Sequence, residues 1–345
     1  MSFQLEKAVV RAHFQALAGA TPDNVAQALA QHTTPDWHWR GMHPFYEQHG
    51  PQAVADSFWT PLLQAVKHVQ RREDIFFAGT NTIDNHASTW VVSMGHFMGL
   101  HDEAFLGIPP TRKITMLRYA EFNQVVDGCI TQTALFIDLL HFMRQAGINP
   151  LPLQTGMHLV QPGPATHDGL QFDDALPAAG ADTLALINRM IGDINNPQTY
   201  ATPRDELAQC WHDDMVWWGP DGIGATYTQE RYIEQHQRPF RTQLADRKFN
   251  GHLAKLSEGN YGAFFGWPNL TLRPTGGYMG LPANGHSTAD MRVVDVYRRD
   301  GNKLAENWIF IDMLHFLHMQ GLDVLAAVVN HRPTSATAQQ ASPSQ

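Results

Sequence analysis

The segment FIDLLHFMRQAG at 136–147 returns as FIDMLHFLHMQG at 310–321. Seven of the twelve positions are identical, and the offset of 174 residues is about half of the 345-residue chain. The repetition extends forward. Leu29, Ala30 and Gln31 match Leu207, Ala208 and Gln209, and Asp36, Trp39, Gly41 and Pro61 match Asp214, Trp217, Gly219 and Pro239, all at an offset of 178. Arg118 matches Arg292 at 174. A chain built this way is two copies of one unit with four residues lost from a connection between the matched positions.

Each copy has the same coarse order. FQLEKAVVRAHFQALA and ADTLALINRMIGDI are helical, followed by shorter helices in PDNVAQALAQH and PRDELAQCWH. A Trp-rich strand comes next, WHWRG or MVWWGP, then a helix over 51–68 or 228–245. Four strands close the first copy: DIFFAG, STWVVSMGHFMGL, KITMLRYAEFNQV and ITQTALFID. The turns VVDGC and RRDGNK have hairpin chemistry. Helices first and antiparallel strands after predict an α+β fold. The expected domains are 1–147 and 181–330. A Pro/Gly-rich linker or strap joins them over 148–180, and a disordered tail occupies 331–345.

Apolar residues make up 43% of the chain, enough for each half to bury a core, and charged residues only 17%. Net charge is −9, with no basic stripe for nucleic acid. No run approaches a membrane span, and the N-terminus reads as an amphipathic helix rather than a signal peptide. With two cysteines, Cys129 and Cys210, a cytoplasmic setting is expected. The chain has 19 histidines, and His43 with His49, or His96 with His101, can be read as ligand pairs. Without HExxH or paired Cys/His spacing, polar contacts are the plainer reading, and no metal is expected.

The last strand of the second copy, LAENWIFID, concentrates candidate chemistry. Alternation puts Leu304, Glu306, Trp308, Phe310 and Asp312 on one face. Carboxylates among apolar residues are desolvated, which raises their pKa toward useful acid/base values. The competing reading is that Asp312 and Asp138 are helix N-caps. His141 and His315 lie three residues further on, either within reach of the aspartate or packed as satisfied histidines under the strap. Trp217, Trp218, Trp267, Tyr278 and Trp308 can line an apolar pocket or simply form core. The first copy has Gln132 and Ala134 where the second has Glu306 and Trp308, so the second copy is the expected working one.

The ordered set GLHDEAFLGIPPTRK, VVDGC and a closing D-x-L motif ending in glycine, with RRDGNKLAENWIFIDMLHFLHMQG in the second copy, resembles the SnoaL-like polyketide cyclase family. That family lies in the ketosteroid isomerase-like, or nuclear transport factor 2-like, superfamily. The resemblance covers both halves. It implies two cone-shaped domains, each a strongly curved mixed sheet closed by helices, and an internal pseudo-dimer of the two. A further homodimer is compatible with it. It implies cofactor-independent chemistry on a small-molecule ligand: aldol cyclisation, isomerisation or dehydration beside a carbonyl. The family aspartate falls on Asp312, and on Asp138 in the first copy, and the family histidine falls on His101. Glu306 joins them as a catalytic candidate. Trp308, Asn307, Arg292, Trp217, Trp267, Tyr278 and His315 are expected around the substrate. The first copy holds His101 and Asp138 without the Glu–Trp pair, whereas the second holds the pair without the histidine. Two alternatives stand beside the enzyme: a non-catalytic binding or assembly module, and water addition through Asp312, Arg292 and Asp295. In the last case alternation sends Arg292 and Asp295 to opposite faces unless a bulge intervenes.

Overall fold

Apolar spacing along the first helix explains its place. In α1 (Gln4–Ala18) the buried positions are Lys7, Val10, His13, Phe14 and Leu17, a single stripe at helical spacing. The computed structural model describes residues 2–283 and 287–330. The tail expected over 331–345 lies outside the described residues.

After α2 (Val25–Ala30) come β1 (Thr33–Gly41) and β2 (Tyr46–His49). A continuous helix over 51–65 follows, made of α3 (Pro51–Val54), a π turn (Ala55–Trp59) and α4 (Thr60–Ala65). Four long strands complete the first sheet: β3 (Val66–Thr80), β4 (Thr89–His101), β5 (Ile114–Val126) and β6 (Cys129–Ile137). The order is β2-β1-β6-β5-β4-β3, with β1 and β6 parallel and the rest antiparallel. The Asp127–Gly128 turn that joins β5 to β6 places both residues at positive φ, as a tight hairpin requires. α5 (Leu139–Gln145) ends the unit.

The second copy repeats the plan. α6 (Pro177–Asn195) and α7 (Pro203–Leu207) precede β7 (Trp211–Trp218) and β8 (Thr226–Tyr227). A helix over 228–243 follows, from α8 (Thr228–Tyr232) through a π turn to α9 (Arg238–Gln243). The counterparts of β3, β4 and β5 are each broken in the second copy. They become β9 (Leu244–Phe249) with β10 (Ala254–Glu258), β11 (Tyr261–Phe265) with β12 (Leu270–Pro274), and β13 (Ala289–Met291) with β14 (Val293–Asp300). β15 (Lys303–Ile311) stays whole, and α10 (Met313–His318) and α11 (Val324–Asn330) end the described chain. The result is a six-stranded sheet β10-β11-β14-β15-β7-β8 and a three-stranded sheet β13-β12-β9. Asn269 stitches the breaks, accepting from Val293 N–H at 2.7 Å and lying 3.2 Å from the His252 ring. In the first copy the bending is done by register shifts within β3, near Lys67 and Glu73.

The fold is thus α+β with two curved mixed sheets in tandem, as expected. The central strands of the two six-stranded sheets are buried on both faces. One face of each sheet is covered by its own helices; Arg71 of β3, for example, lies 3.6 Å over the Phe14 ring of α1. The other faces meet: Phe122 and Phe136 pack on Phe265, and Arg118 lies 3.9 Å over Phe310. A buried ion pair, Lys7 to Glu258 at 2.7 Å, ties α1 to β10 across the copies.

The strap is shorter than expected. Residues 177–180 are already helix, because Pro177 occupies a first-turn position where a missing N–H costs nothing. The strap runs along the junction, bridging Leu170 to Phe76 of β3 and Met157 to Ala225 beside β8.

Candidate active site in the second cone and the junction beside it

The two repeated aspartates sit at the junction. Asp138 ends β6 and caps α5: one carboxylate oxygen accepts the His141 N–H at 2.9 Å, and the other accepts the Asp221 N–H at 2.9 Å. Asp312 ends β15 and caps α10, accepting the His315 N–H at 3.2 Å and the His43 N–H at 3.0 Å, with Arg292 Nη1 at 3.4 Å. His43 and Asp221 correspond at the 178-residue offset, so the arrangement is reciprocal. Each aspartate caps its own helix and also takes a backbone N–H from the other copy. Burial lifts the Asp312 carboxyl to about 6, against the pull of Arg292 and the two N–H donors. The gap between the paired ends is lined by Met42, His43, Asp221 and Asp312 among others, and holds about 10 Å³, room for one water.

Glu306, Trp308 and Asp312 do share a face, but it is the junction face and not a cone interior. Glu306 is paired to Arg298 at 2.5 Å and accepts the strap's Ala165 N–H at 3.2 Å. Trp308 Nε1 donates to the Pro162 carbonyl at 3.0 Å. Trp267 is also at the junction, stacked 4.0 Å from Arg292 and donating to Glu47 at 3.1 Å. Arg292 and Asp295 face opposite ways, as alternation requires. The histidines do not reach back to the aspartates with their rings; their backbone N–H groups do. Nor is His315 the satisfied histidine expected, for neither ring nitrogen has a partner among the described residues. His101 is buried in the first cone with its ring 4.6 Å from Phe142, and burial lowers its pKa. Tyr278 is buried in a turn after β12, near Phe316.

The helix-covered face of the second sheet carries a different group of residues. Asp295 of β14 is 7% exposed, and the Asn307 amide of β15 donates to it at 3.1 Å. Burial pushes its carboxyl up to about 7, while hydrogen bonds from Asn307 and the Tyr297 phenol hold it lower than burial alone would. Trp217 lies on the same side, stacked 3.9 Å from His236 of the π turn and 5.8 Å from Tyr232. Burial pushes His236 down to about 3, so its ring is neutral at pH 7, and its Nδ1 has no partner among the described residues. Phe264 lies 5.8 Å from Tyr297. Arg241 Nη2 donates to both carboxylate oxygens of Glu206, at 2.7 and 2.9 Å, beside this group. Of the expected site residues, Asn307 and Trp217 belong here. Tyr232, His236 and Tyr297 were not singled out, and Asp295 figured only in the water-addition alternative. For Asp295 and Tyr297 the signal is the other parity of the strands; Tyr232 and His236 lie four residues apart on one face of the helix over 228–243.

The first cone holds a closed network at the matching place. Arg71 pairs with Glu121 at 2.8 Å, Asn123 donates to Glu121 at 3.0 Å, and Thr133 and Trp37 continue the chain. Ser93 donates to Glu73 at 3.0 Å. Among the described residues one group has metal-ligand chemistry: His43, His318 and Asp323. Cys129 and Cys210 are both free. Among the described residues no helix is long and apolar enough to cross a membrane.

No protein-family model matches the chain, and no curated protein matches it. Solved structures do. One, described as a SnoaL-like polyketide cyclase from Jannaschia sp. CCS1, is 18% identical, and the match covers 44% of this chain and 96% of that one at a TM-score of 0.34. A nuclear transport factor 2-like protein from Burkholderia xenovorans LB400 is 11% identical over 41% of this chain and 97% of its own, at 0.33. Another from Anabaena variabilis is 14% identical over 38% and 89%, at 0.29. The fold assignment rests on the strand order and helix placement described above.

Proposed function

We propose that the second cone is a cofactor-independent acid/base site for a small apolar or aromatic carbonyl compound, with Asp295 in the role expected of Asp312. One observation carries this reading: a buried carboxyl on the helix-covered face of the sheet, lifted to about 7 and held between an amide and a phenol. A carboxylate with that pKa can take a proton from a carbon beside a carbonyl at neutral pH and return it. Asn307 and Tyr297 orient Asp295. His236, neutral and with its Nδ1 unpartnered among the described residues, is the group available to hydrogen-bond a substrate oxygen. Trp217, Tyr232 and Phe264 supply the apolar walls. The reaction class is proton abstraction next to a carbonyl, leading to isomerisation, dehydration or ring closure.

A second reading, a binding or assembly module without chemistry, is favoured by the capping duty of Asp138 and Asp312 and by the ion-paired interior of the first cone. The two are separated by deuterium exchange at the α-carbon of a panel of aromatic and alicyclic ketones, followed by NMR. The enzyme reading expects exchange that Asp295→Asn abolishes and that a folded Asp312→Asn protein retains. Exchange indifferent to Asp295, or none across the panel, leaves the binding module.

A further inference from the structure

The repeat supplies its own comparison. Position 43 corresponds to 221 at the front offset, and positions 318 and 323 correspond to 144 and 149 at the back offset. In one junction these three positions are Asp221, Arg144 and Asn149. They close directly: Arg144 forks onto Asp221 at 2.6 and 2.8 Å and donates to Asn149 at 2.6 Å. In the other junction the same positions are His43, His318 and Asp323. Here the imidazole centroids lie 5.0 Å apart, and His318 Nδ1 is 3.7 Å from Asp323. The direct closure made by the arginine is missing, and three metal-ligating side chains stand in its place, one donor atom from each within 4.8 Å of the others.

We propose that His43, His318 and Asp323 bind a divalent transition-metal ion of the zinc type, which clamps the first copy's β1–β2 loop to the second copy's closing helix. His43 is preorganised for this. It is buried, its backbone N–H is held by Asp312 at 3.0 Å, and its Nδ1 lies 2.7 Å from the Tyr46 hydroxyl. That leaves Nε2 as the ligand nitrogen, with Tyr46 as the outer partner that metal-bound histidines usually have. His318 and Asp323 are half-exposed and free to adjust. Three donor atoms up to 4.8 Å apart share a centre no more than about 2.8 Å from each, so with His43 fixed, shifts of about 1.0–1.3 Å in the two exposed side chains reach ordinary zinc distances of about 2.0–2.2 Å. Three protein ligands leave at least one coordination position for solvent. The ligand set, two imidazoles and a carboxylate, favours zinc-like ions over magnesium or calcium.

The test uses the full chain stripped with chelator. Zn²⁺ titrated by calorimetry and Co²⁺ followed by visible absorption should each give one saturable site per chain, and Zn²⁺ should raise the melting temperature. His318→Ala and Asp323→Ala, both at half-exposed positions, should each weaken binding by more than about tenfold, and Tyr46→Phe by about tenfold. The triple variant His43→Asp, His318→Arg, Asp323→Asn copies the other junction. It should keep the metal-free melting temperature and lose the zinc response. His38 and His49 stack at 4.6 Å elsewhere in the first copy and are the natural rival, so His49→Ala is the control. Absence of a one-to-one site overturns the proposal. So does binding that survives loss of His318 and Asp323 but falls with His49→Ala, which marks an adventitious surface ion.

Discussion

Replacing Asp295 with asparagine should make the protein more stable, and increasingly so as pH rises. The side chain keeps its shape and retains an oxygen to accept from Asn307. What it loses is the charge. The carboxyl moves from an ordinary 3.8 to about 7 in the folded protein. A folded value above the unfolded one means that the native state holds a proton the unfolded state has released. The stability linked to that proton is complete below about pH 4 and is lost as pH rises through 7. At about 1.4 kcal/mol per unit, the wild type has given up about 4 kcal/mol by pH 8 relative to the neutral side chain, an order-of-magnitude figure. The gap between variant and wild type should therefore widen by about 2–3 kcal/mol from pH 5 to pH 8. Urea unfolding at four pH values in that range measures it, and other titrating groups cancel in the difference. A gap that stays constant with pH, or a variant less stable at every pH, would show that Asp295 is an ordinary hydrogen-bonded carboxylate and remove the reason for placing acid/base chemistry there.

Three further outcomes follow from the junction. Lys7→Met strands Glu258 without its partner in a buried site and should cost about 3–5 kcal/mol in urea unfolding. Asp138→Ala removes the acceptor of two backbone N–H bonds, one within the first copy and one from the second, and should cost about 2–4 kcal/mol. If the remaining folded protein keeps its exchange activity per molecule, the structural assignment of Asp138 stands; a specific loss of turnover would refute it. Arg298→Met leaves Glu306 buried with only the strap's Ala165 N–H, and should destabilise the fold by about 3 kcal/mol while loosening residues 161–166 to protease.

Much of this architecture is legible in the amino-acid sequence alone. The doubled motif, the order of helices and strands, and the turn at Asp127–Gly128 all express local chemistry that survives in three dimensions. The cap reading of Asp138 and Asp312 is legible too, because a short acidic side chain before a helical run has little else to do. The side of the sheet is not. Alternation correctly groups Glu306 with Trp308 and Asp312, but alternation cannot say which face a cone encloses. Both faces of these strands are buried, one against helices and one against the other copy, so hydrophobicity gives no vote. The first half of β3, VKHVQRRE, escapes for a related reason: an edge strand with bulges has no clean pattern. The start of α6 is hidden by Pro177, a residue that marks linkers and first helical turns alike. The matching of His43 with Asp221 is within reach through the repeat. Its meaning depends on the fold, which turns each of them toward the other copy's aspartate.

The crossed caps also bear on how such a chain can change. In a pair of identical subunits every substitution appears twice, once on each side of the symmetry axis, so a change that helps one site and harms the other is tested as a sum. A tandem chain is released from that coupling. Arg144 with Asp221 on one side, and His318 with His43 on the other, are two different answers to the same geometric question, held in a single molecule. One interior could close around Arg71 and Glu121 while the other kept Asp295 protonated near neutrality. The reciprocal aspartates then act as a constant frame, fixing the relation of the halves while everything around them is free to diverge. Cutting the chain at the strap should yield two polypeptides that each lack a hydrogen-bond donor for their own capping aspartate, and so fold well only when mixed.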